Sequence, residues 1–497
     1  LLAGCATVPR DIPRPPSVAF QDHESTALGQ RIAQDVAARP GQSGFSLMRY
    51  GHPAYTARIA LADLAQKSID VQYYIWEADA TGRILAERLS RAAERGVRVR
   101  VLIDDANLAY RDAAVASFDA HPNIEVRLFN PFAQRNTKLL DFVTDFERLN
   151  HRMHNKLMVV DNAVAIVGGR NMSDSYFGVN PTHNFRDLDV VAVGPVVREL
   201  SKVYDRFWNG EWAVPVAAFV DQPRTLDDYN SAISATREWI ATNPYPWPLE
   251  REVGEVGKEL DEIQRAFIWA PGRVLWDDPA SINDPDLRTM SKALGQRLGE
   301  LEDEVLIESA YFVPREGGVE LAKHLQSKGV RMRVLTNSMA SNDVLAAFAG
   351  YSKNRTELVR VGVEVYELRP DAGPIRQRMF FGIHGGSRAG LHSKAIVFDR
   401  KDVFIGSFNL DARSSSINTE AGLFIESPEL AAQLAAHMDE GVRLDNAYRV
   451  QVDPSGELFW TTYIAGKEVR YDVDPLSTPL QRIGAGWMHL LPIEDQL

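Results

Sequence analysis

Short apolar runs and amphipathic stretches alternate along this chain, and the alternation is written twice. Ile69 to Trp76 reads as a strand. Thr81 to Arg95 carries its apolar residues at helical spacing and is closed by Gly96, and Val97 to Asp104 reads as a second strand. The same succession returns as Val305 to Phe312, Gly317 to Lys328 closed by Gly329, and Val330 to Asn337. Even the residues repeat: Gly96 to Leu102 (GVRVRVL) reappears as Gly329 to Leu335 (GVRMRVL), and Ile124 to Pro131 (IEVRLFNP) as Val363 to Pro370 (VEVYELRP). A long internal repeat implies two halves of one topology. Alternating strands and helices then place helices on both sides of a mostly parallel or mixed sheet. The expected fold class is α/β, with two pseudo-symmetric α/β/α sandwich domains.

The repeat also carries chemistry. His154-Asn155-Lys156 with Asp161, Gly168, Gly169 and Asn171 matches His392-Ser393-Lys394 with Asp399, Gly406, Ser407 and Asn409. Both copies read H-x-K-x4-D-x6-G-[GS]-x-N without a gap. A lone histidine is usually a solvated or hydrogen-bonded side chain, but several spacings that agree twice overturn that reading. Each copy offers an imidazole, an ammonium two residues on that a strand places on the same face, and an amide donor. Behind them, Leu157 to Val160 and Ala395 to Phe398 read as buried strand. A phosphodiester anion repels nucleophiles, so a site that cleaves it needs cations and amide donors to absorb charge in the transition state. Lys156, Lys394, Asn171, Asn409 and Ser407 suit that binding of phosphate, and two half-sites facing each other make a phosphodiester-cleaving centre.

The paired pattern resembles the phospholipase D superfamily, whose enzymes carry two such motifs and form a covalent phosphohistidine without a metal. Ser68 to Trp76 (SIDVQYYIW), Ile124 to Pro131, Leu149 to Lys156 (LNHRMHNK) and Asp187 to Pro195 (DLDVVAVGP) resemble the C-type bacterial cardiolipin synthases within it. The resemblance runs from about Gly44 to the C-terminus and implies phospholipase D-like domains with the active site at their interface. It implies that one imidazole attacks phosphorus while the other protonates the leaving oxygen and later deprotonates the acceptor. Family precedent gives attack to His154 and acid/base work to His392. An acid following each motif orients an imidazole and fixes its tautomer: Glu420 in the second copy, Asp187 in the first, with Asp189 as its rival. Asp161, Asp399, Gly168, Gly169 and Gly406 are expected to be structural. Because the first copy has Gly169 where the second has Ser407, the half-sites are not chemically equivalent.

Composition narrows the partners. With 55 Lys and Arg against 67 Asp and Glu the net charge is −12. That balance, without a basic stripe, opposes a nuclease role and implies no nucleic-acid partner. There is no cluster of Cys and His, no H-E-x-x-H and no G-x4-G-K-[ST], so neither a metal nor a nucleotide cofactor is expected. No run of 18 apolar residues is present. The single cysteine, Cys5, ends Leu2-Ala3-Gly4-Cys5, which resembles the lipobox of bacterial lipoproteins; on that reading Cys5 is acylated and a tether rich in proline from Pro9 to Pro16 follows. This implies a lipid-anchored, periplasm-facing protein of the bacterial cell envelope, and Ala6 after the cysteine points to the outer membrane.

The expected organisation is 1–43, a lipobox remnant, tether and short helix; 44–213 and 280–444, the two phospholipase D-like domains; 214–279, an inter-domain segment; and 445–497, a C-terminal extension. Trp239 to Pro248 (WIATNPYPWP) reads either as linker packing or as a lip that meets lipid head groups. Phe459, Trp460, Tyr463 and Trp487 to Ile493 suit a covered sheet edge as well as a membrane contact. His151 and His384 read as surface histidines, with a place lining the cleft as the alternative. The resemblance implies phosphatidyl transfer between phospholipids, with phosphatidylglycerol and phosphatidylethanolamine as candidate substrates at a membrane surface. A hydrolytic phospholipase D releasing phosphatidic acid is the alternative, since water and alcohol compete for one phosphohistidine. Both motifs lie on one chain, so a monomer suffices.

Overall fold

The computed structural model describes residues 8–9, 12–108, 111–135, 141, 144–243, 245–247, 261–373, 375–376, 386–489 and 496. Cys5 and His384 lie outside them.

The runs rich in Val, Ile and Leu become strands buried on both faces, as parallel strands covered by helices must be. The first half supplies β1 (Ser43–Met48), β2 (Ser68–Tyr73), β3 (Arg98–Asp104), β4 (Ile124–Phe129), β5 (Leu157–Val160), β6 (Val164–Gly168), β7 (His183–Arg186), β8 (Asp189–Val193), β9 (Ala213–Pro215) and β10 (Ile268–Ala270). The second supplies β11 (Gly272–Trp276), β12 (Glu304–Ser309), β13 (Arg331–Asn337), β14 (Glu364–Leu368), β15 (Arg388–Leu391), β16 (Lys394–Phe398), β17 (Asp402–Gly406), β18 (Ala421–Glu426), β19 (Ala447–Val452), β20 (Leu458–Ile464) and β21 (Lys467–Tyr471). One sheet runs β10-β1-β8-β6-β5-β2-β3-β4-β9 and the other β11-β18-β17-β16-β12-β13-β14-β19-β20-β21. From β1 to β9 and from β11 to β19 the orders are the same, so the repeat read in the residues is a repeat of topology. In each sheet three neighbours are parallel (β2-β3-β4 and β12-β13-β14) and the rest antiparallel, which makes both sheets mixed.

Helices Gly51–Leu64, Ala80–Glu94 and Asp112–Asp119 cover the outer face of the first sheet, and Glu316–Ser327 and Leu345–Arg360 that of the second. Pro195–Trp208 and Pro428–Gly441 lie between the sheets. Val196, Leu200 and Phe207 of one, and Leu430 and Leu434 of the other, share a single apolar cluster with residues of both sheets. The halves are therefore joined by a common core.

Three sequence-based boundaries move. The strand expected over Ile69 to Trp76 stops at Tyr73, because the Ile75 N–H turns to the Asn171 side chain and Trp76 bridges Met172 instead. Gly272 to Trp276, assigned to the inter-domain segment, pairs with β18 and so edges the second sheet. The C-terminal extension begins by continuing that sheet through β19, β20 and β21, and Trp460 is buried there with its indole N–H on Glu367. Trp239 packs against the first half under the Arg83 guanidinium, and Trp247 against the His52 ring, as a packed linker does.

Candidate active site

The two motifs stand at the seam. His154 to Lys156 form the extended approach to β5, and Lys394 opens β16, so each histidine lies just ahead of a rigid buried strand rather than within it. What aligns them is pairing between halves. β7 and β15 form a two-stranded parallel ribbon, and Met153 bridges Thr419 in the matching place. The His154 N–H donates to the Thr419 carbonyl (2.9 Å) and the His392 N–H to the Arg186 carbonyl (2.8 Å). Thr419 and Arg186 each precede an acid of the opposite motif.

Each acid therefore serves the other half's histidine. Nδ1 of His154 lies 2.9 Å from Glu420 Oε2 and 3.0 Å from the Ser407 carbonyl; Nδ1 of His392 lies 2.7 Å from Asp187 Oδ2. With the Nδ1 proton held by a carboxylate, the lone pair is on Nε2. Asp187 and Glu420 are thus brought to the imidazoles, crossed between the halves. Asp189 is elsewhere, paired in the core with Arg58 (2.9 Å) and Arg170 (3.2 Å).

The histidines and lysines are all buried. The Lys156 ammonium donates to the His154 carbonyl and lies 5.3 Å from the centre of the Tyr74 ring. Lys394 donates to the His392 carbonyl and also sits 2.9 Å from its Nδ1. Since Asp187 needs the Nδ1 proton, that second approach is a charge contact rather than a donated bond. Burial is the first cause of every shift here. It pushes both histidines well below their usual value, helped by the two lysines, so both rings are neutral in the empty site. It pushes Lys156 well down against the pull of Glu420, and Lys394 to about 8 against the pull of Asp187. It lifts Glu420 to about 7, and Asp187 also rises. An entering phosphodiester anion offsets both ammonium charges and so raises these depressed bases.

The remaining motif residues divide. Asp161 accepts from the backbone N–H groups of Gln66, Lys67 and Ser68, and Asp399 from those of Asp303 and Glu304, at 2.7 to 3.1 Å. Both anchor hairpins and touch no imidazole. Ser407 does not point at the seam as a phosphate ligand: its hydroxyl is buried, donates to Glu420 and accepts from Ala421 N–H at 3.0 Å. Gly169 occupies the equivalent place, where a Cβ would stand 2.1 Å from Asp187 Oδ1. One half-site thus pairs a short acid with glycine and the other a longer acid with serine. Gly168 and Gly406 are held by similar crowding, with a Cβ 2.3 Å from Asp189 Oδ1 and 2.5 Å from Gly422 Cα. Asn171 spends its carbonyl on Ile75 N–H (3.2 Å) and one N–H on the Tyr176 hydroxyl (2.9 Å), leaving one donor. Among the described residues, none bonds the buried Oδ1 of Asn409.

The motif spacing does not disclose the aromatic wall. Tyr74 stands edge-on to the His154 ring at 5.0 Å, Tyr176 edge-on to the His392 ring at 4.9 Å, and Phe185 5.2 Å from it. Nothing in their local sequence marks them, since they meet the histidines only in three dimensions. His151 is half-buried, its Nδ1 2.6 Å from the Ile417 carbonyl.

A paired His-Lys site at the seam of two like α/β halves defines an enzyme of the phospholipase D type. Residues 59–208 and 294–441 match the sequence family described as cardiolipin synthase, PLD-like domain. The chain is 39% identical to cardiolipin synthase C of Escherichia coli K12 over 94% of its own length and 99% of that relative's. It is 32% identical to an uncharacterized protein of Helicobacter pylori 26695, over 98% and 96%. The crystal structure of phosphatidylserine synthase from Haemophilus influenzae Rd KW20 has the same fold, with a TM-score of 0.59 at 15% identity, over 94% of this chain and 99% of that one. The chain belongs to the phospholipase D-like family of cardiolipin synthases.

Proposed function

We propose that this enzyme moves a phosphatidyl group from one phospholipid to the hydroxyl of another, forming cardiolipin. The observation that carries the reading is the crossed arrangement of two neutral imidazoles, each tied at Nδ1 to an acid of the opposite half and flanked by a buried lysine. The name of the E. coli relative supplies the substrate class. His154 Nε2 attacks phosphorus, the bond from phosphorus to the head-group oxygen breaks, and His392, its pKa raised by the bound anion, gives that oxygen a proton. The acceptor hydroxyl of phosphatidylglycerol then gives its proton to His392, its oxygen bonds to phosphorus and the bond to His154 breaks. Lys156, Lys394, Asn171 and Asn409 hold the phosphoryl oxygens.

Purified enzyme given labelled phosphatidylglycerol, with and without phosphatidylethanolamine, is expected to yield cardiolipin. Phosphatidic acid alone would make it a hydrolase. We place the work at a membrane surface. Leu480, Ile483 and Trp487 recur along one side of helix Pro479–Met488 and are 80%, 58% and 68% exposed. An exposed apolar stripe of this kind suits insertion into the bilayer surface. Acylation of Cys5 would add an anchor, and Cys5→Ser in the full-length precursor should then remain unprocessed. Among the described residues no helix is long and apolar enough to cross a membrane.

A further inference from the structure

The two halves share a topology but differ in how the outer face of each sheet is closed. In the second half the sixteen residues Leu345–Arg360 cover it with a full helix whose Phe348, Tyr351 and Leu358 are buried. In the first half the corresponding helix, Asp112–Asp119, has eight residues and buries only Ala116 and Ser117. Helix Leu226–Thr242, from the segment without a counterpart, stands over the gap, and it buries only Tyr229 and Ile233. Between it and the sheet a cavity of about 510 Å³ is left open. Interiors are packed to crystal density and hold few voids larger than a water. A space of this size falls in the ~300–1,000 Å³ range of ligand sites.

Its walls say what kind of ligand. Val101, Ile103 and Val126 of the sheet, Phe118, and Ile233 and Trp239 of the overlying helix line it, so it is overwhelmingly apolar. Trp76 also lines it, its indole N–H on the carbonyl of Gly82 next to the Arg83 that covers Trp239, with Glu77 and Arg111 ion-paired beside it. Trp76 lies two residues beyond Tyr74, whose ring touches His154. Two residues of chain span at most ~7 Å between Cα atoms, a gap that a glycerol backbone and its first methylenes bridge.

We propose that this cavity receives one acyl chain of the phospholipid whose phosphorus lies at His154. The inference rests on the phospholipid reading above and adds that the first half selects for a long chain. A head group at the seam and a chain under helix Leu226–Thr242 are held together, so chain burial positions phosphorus for attack.

The test fills the cavity far from the catalytic groups, with Ala86→Phe and Ala232→Phe. Two readouts are taken: turnover of dioleoyl against dibutyroyl phosphatidylglycerol, and quenching of tryptophan fluorescence by a dibrominated 18-carbon lysophosphatidylglycerol below its micelle concentration. Expected are saturable quenching in the wild type, largely lost in Trp76→Phe/Trp239→Phe and weakened at least tenfold in the filled variants, and a tenfold or greater fall in kcat/KM for the long-chain substrate alone. Thermal unfolding checks that the variants fold, and Ala235→Leu gives a milder filling if either does not. Absence of saturable quenching in the wild type, or filled variants that keep the wild-type ratio of long- to short-chain turnover, overturns the proposal. Quenching without any phospholipid turnover would leave the chain site standing and refute the phosphatidyl transfer reading instead.

Discussion

At the residue scale, burial sets every protonation state before substrate arrives. Glu420 must be ionised to hold the Nδ1 proton of His154; protonated, it would donate to that nitrogen and leave the hydrogen on Nε2, where the proposed mechanism needs the attacking lone pair. With Glu420 at about 7, kcat/KM should rise with pH through that value. On the proposed mechanism Lys394 stabilises the phosphorane only as an ammonium, so with its value at about 8 the rate should fall above it. The expected profile is a narrow bell between the two, read on a soluble short-chain phospholipid, and Glu420→Gln should remove its acidic limb at a low rate. A flat profile from pH 6 to 9 would show that neither group governs the step. Lys156→Ala and Lys394→Ala should each lose more than two decades, because an ammonium beside a phosphorane in a dry site contributes about 3 to 4 kcal/mol. Arginine should rescue neither fully, its planar fork differing from a point charge. Histidine, lysine and both acids were legible from spacing and resemblance. The crossing of the acids was not, because it arises only when the halves dock.

At the element scale the motif is a hairpin with a fixed anchor. Asp161 and Asn162 sit at φ 53° and 51°, and Asp399 and Arg400 at 49° and 52°, a conformation that residues other than glycine rarely adopt. The carboxylates hold it by accepting backbone N–H groups at the start of the neighbouring strand, Asp161 from Gln66, Lys67 and Ser68 and Asp399 from Glu302, Asp303 and Glu304. Asp161→Ala removes the acceptor and leaves those donors near the interior, so stability should drop by ~3 kcal/mol or more in urea unfolding. An unchanged midpoint would show that water replaces the carboxylate. The Gly169 and Ser407 difference gives a sharper test. Gly169→Ser drives a Cβ into the Asp187 carboxylate that orients His392, so activity should fall by about two decades with the fold intact. The succession of strands and helices along the chain was readable because apolar runs and glycine closures report local physics: Gly96 and Gly329, at φ 93° and 81°, end their helices as placed. The end of β2 at Tyr73 and the membership of Gly272 to Trp276 were not, since a strand's partner is a distant fact.

At the scale of the whole molecule the site belongs to neither half. The sheets share one core around helices Pro195–Trp208 and Pro428–Gly441, β7 pairs with β15, and the buried pair Arg186–Glu308 at 2.9 Å ties the strand before Asp187 to the second sheet. A buried pair broken on one side leaves an uncompensated charge, at about 3 to 5 kcal/mol. Glu308→Ala should therefore weaken the seam and lower kcat more than its distance from phosphorus suggests. The same unity makes a prediction about the single chain. His154→Ala and His392→Ala should each be inactive, and only the form retaining His154 should trap labelled phosphatidyl on protein. Mixing the two dead variants should restore nothing: a working site needs both histidines across one seam, and parting the halves would expose the shared core to water. Recovery of activity after mixing, up to about a quarter of wild type if halves exchanged freely between chains, would show that two chains lend each other a half. Gel filtration of the mixture separates the outcomes, because exchange requires a dimer whose proportion rises with protein concentration, whereas a monomer with both motifs in place predicts inactivity at every concentration.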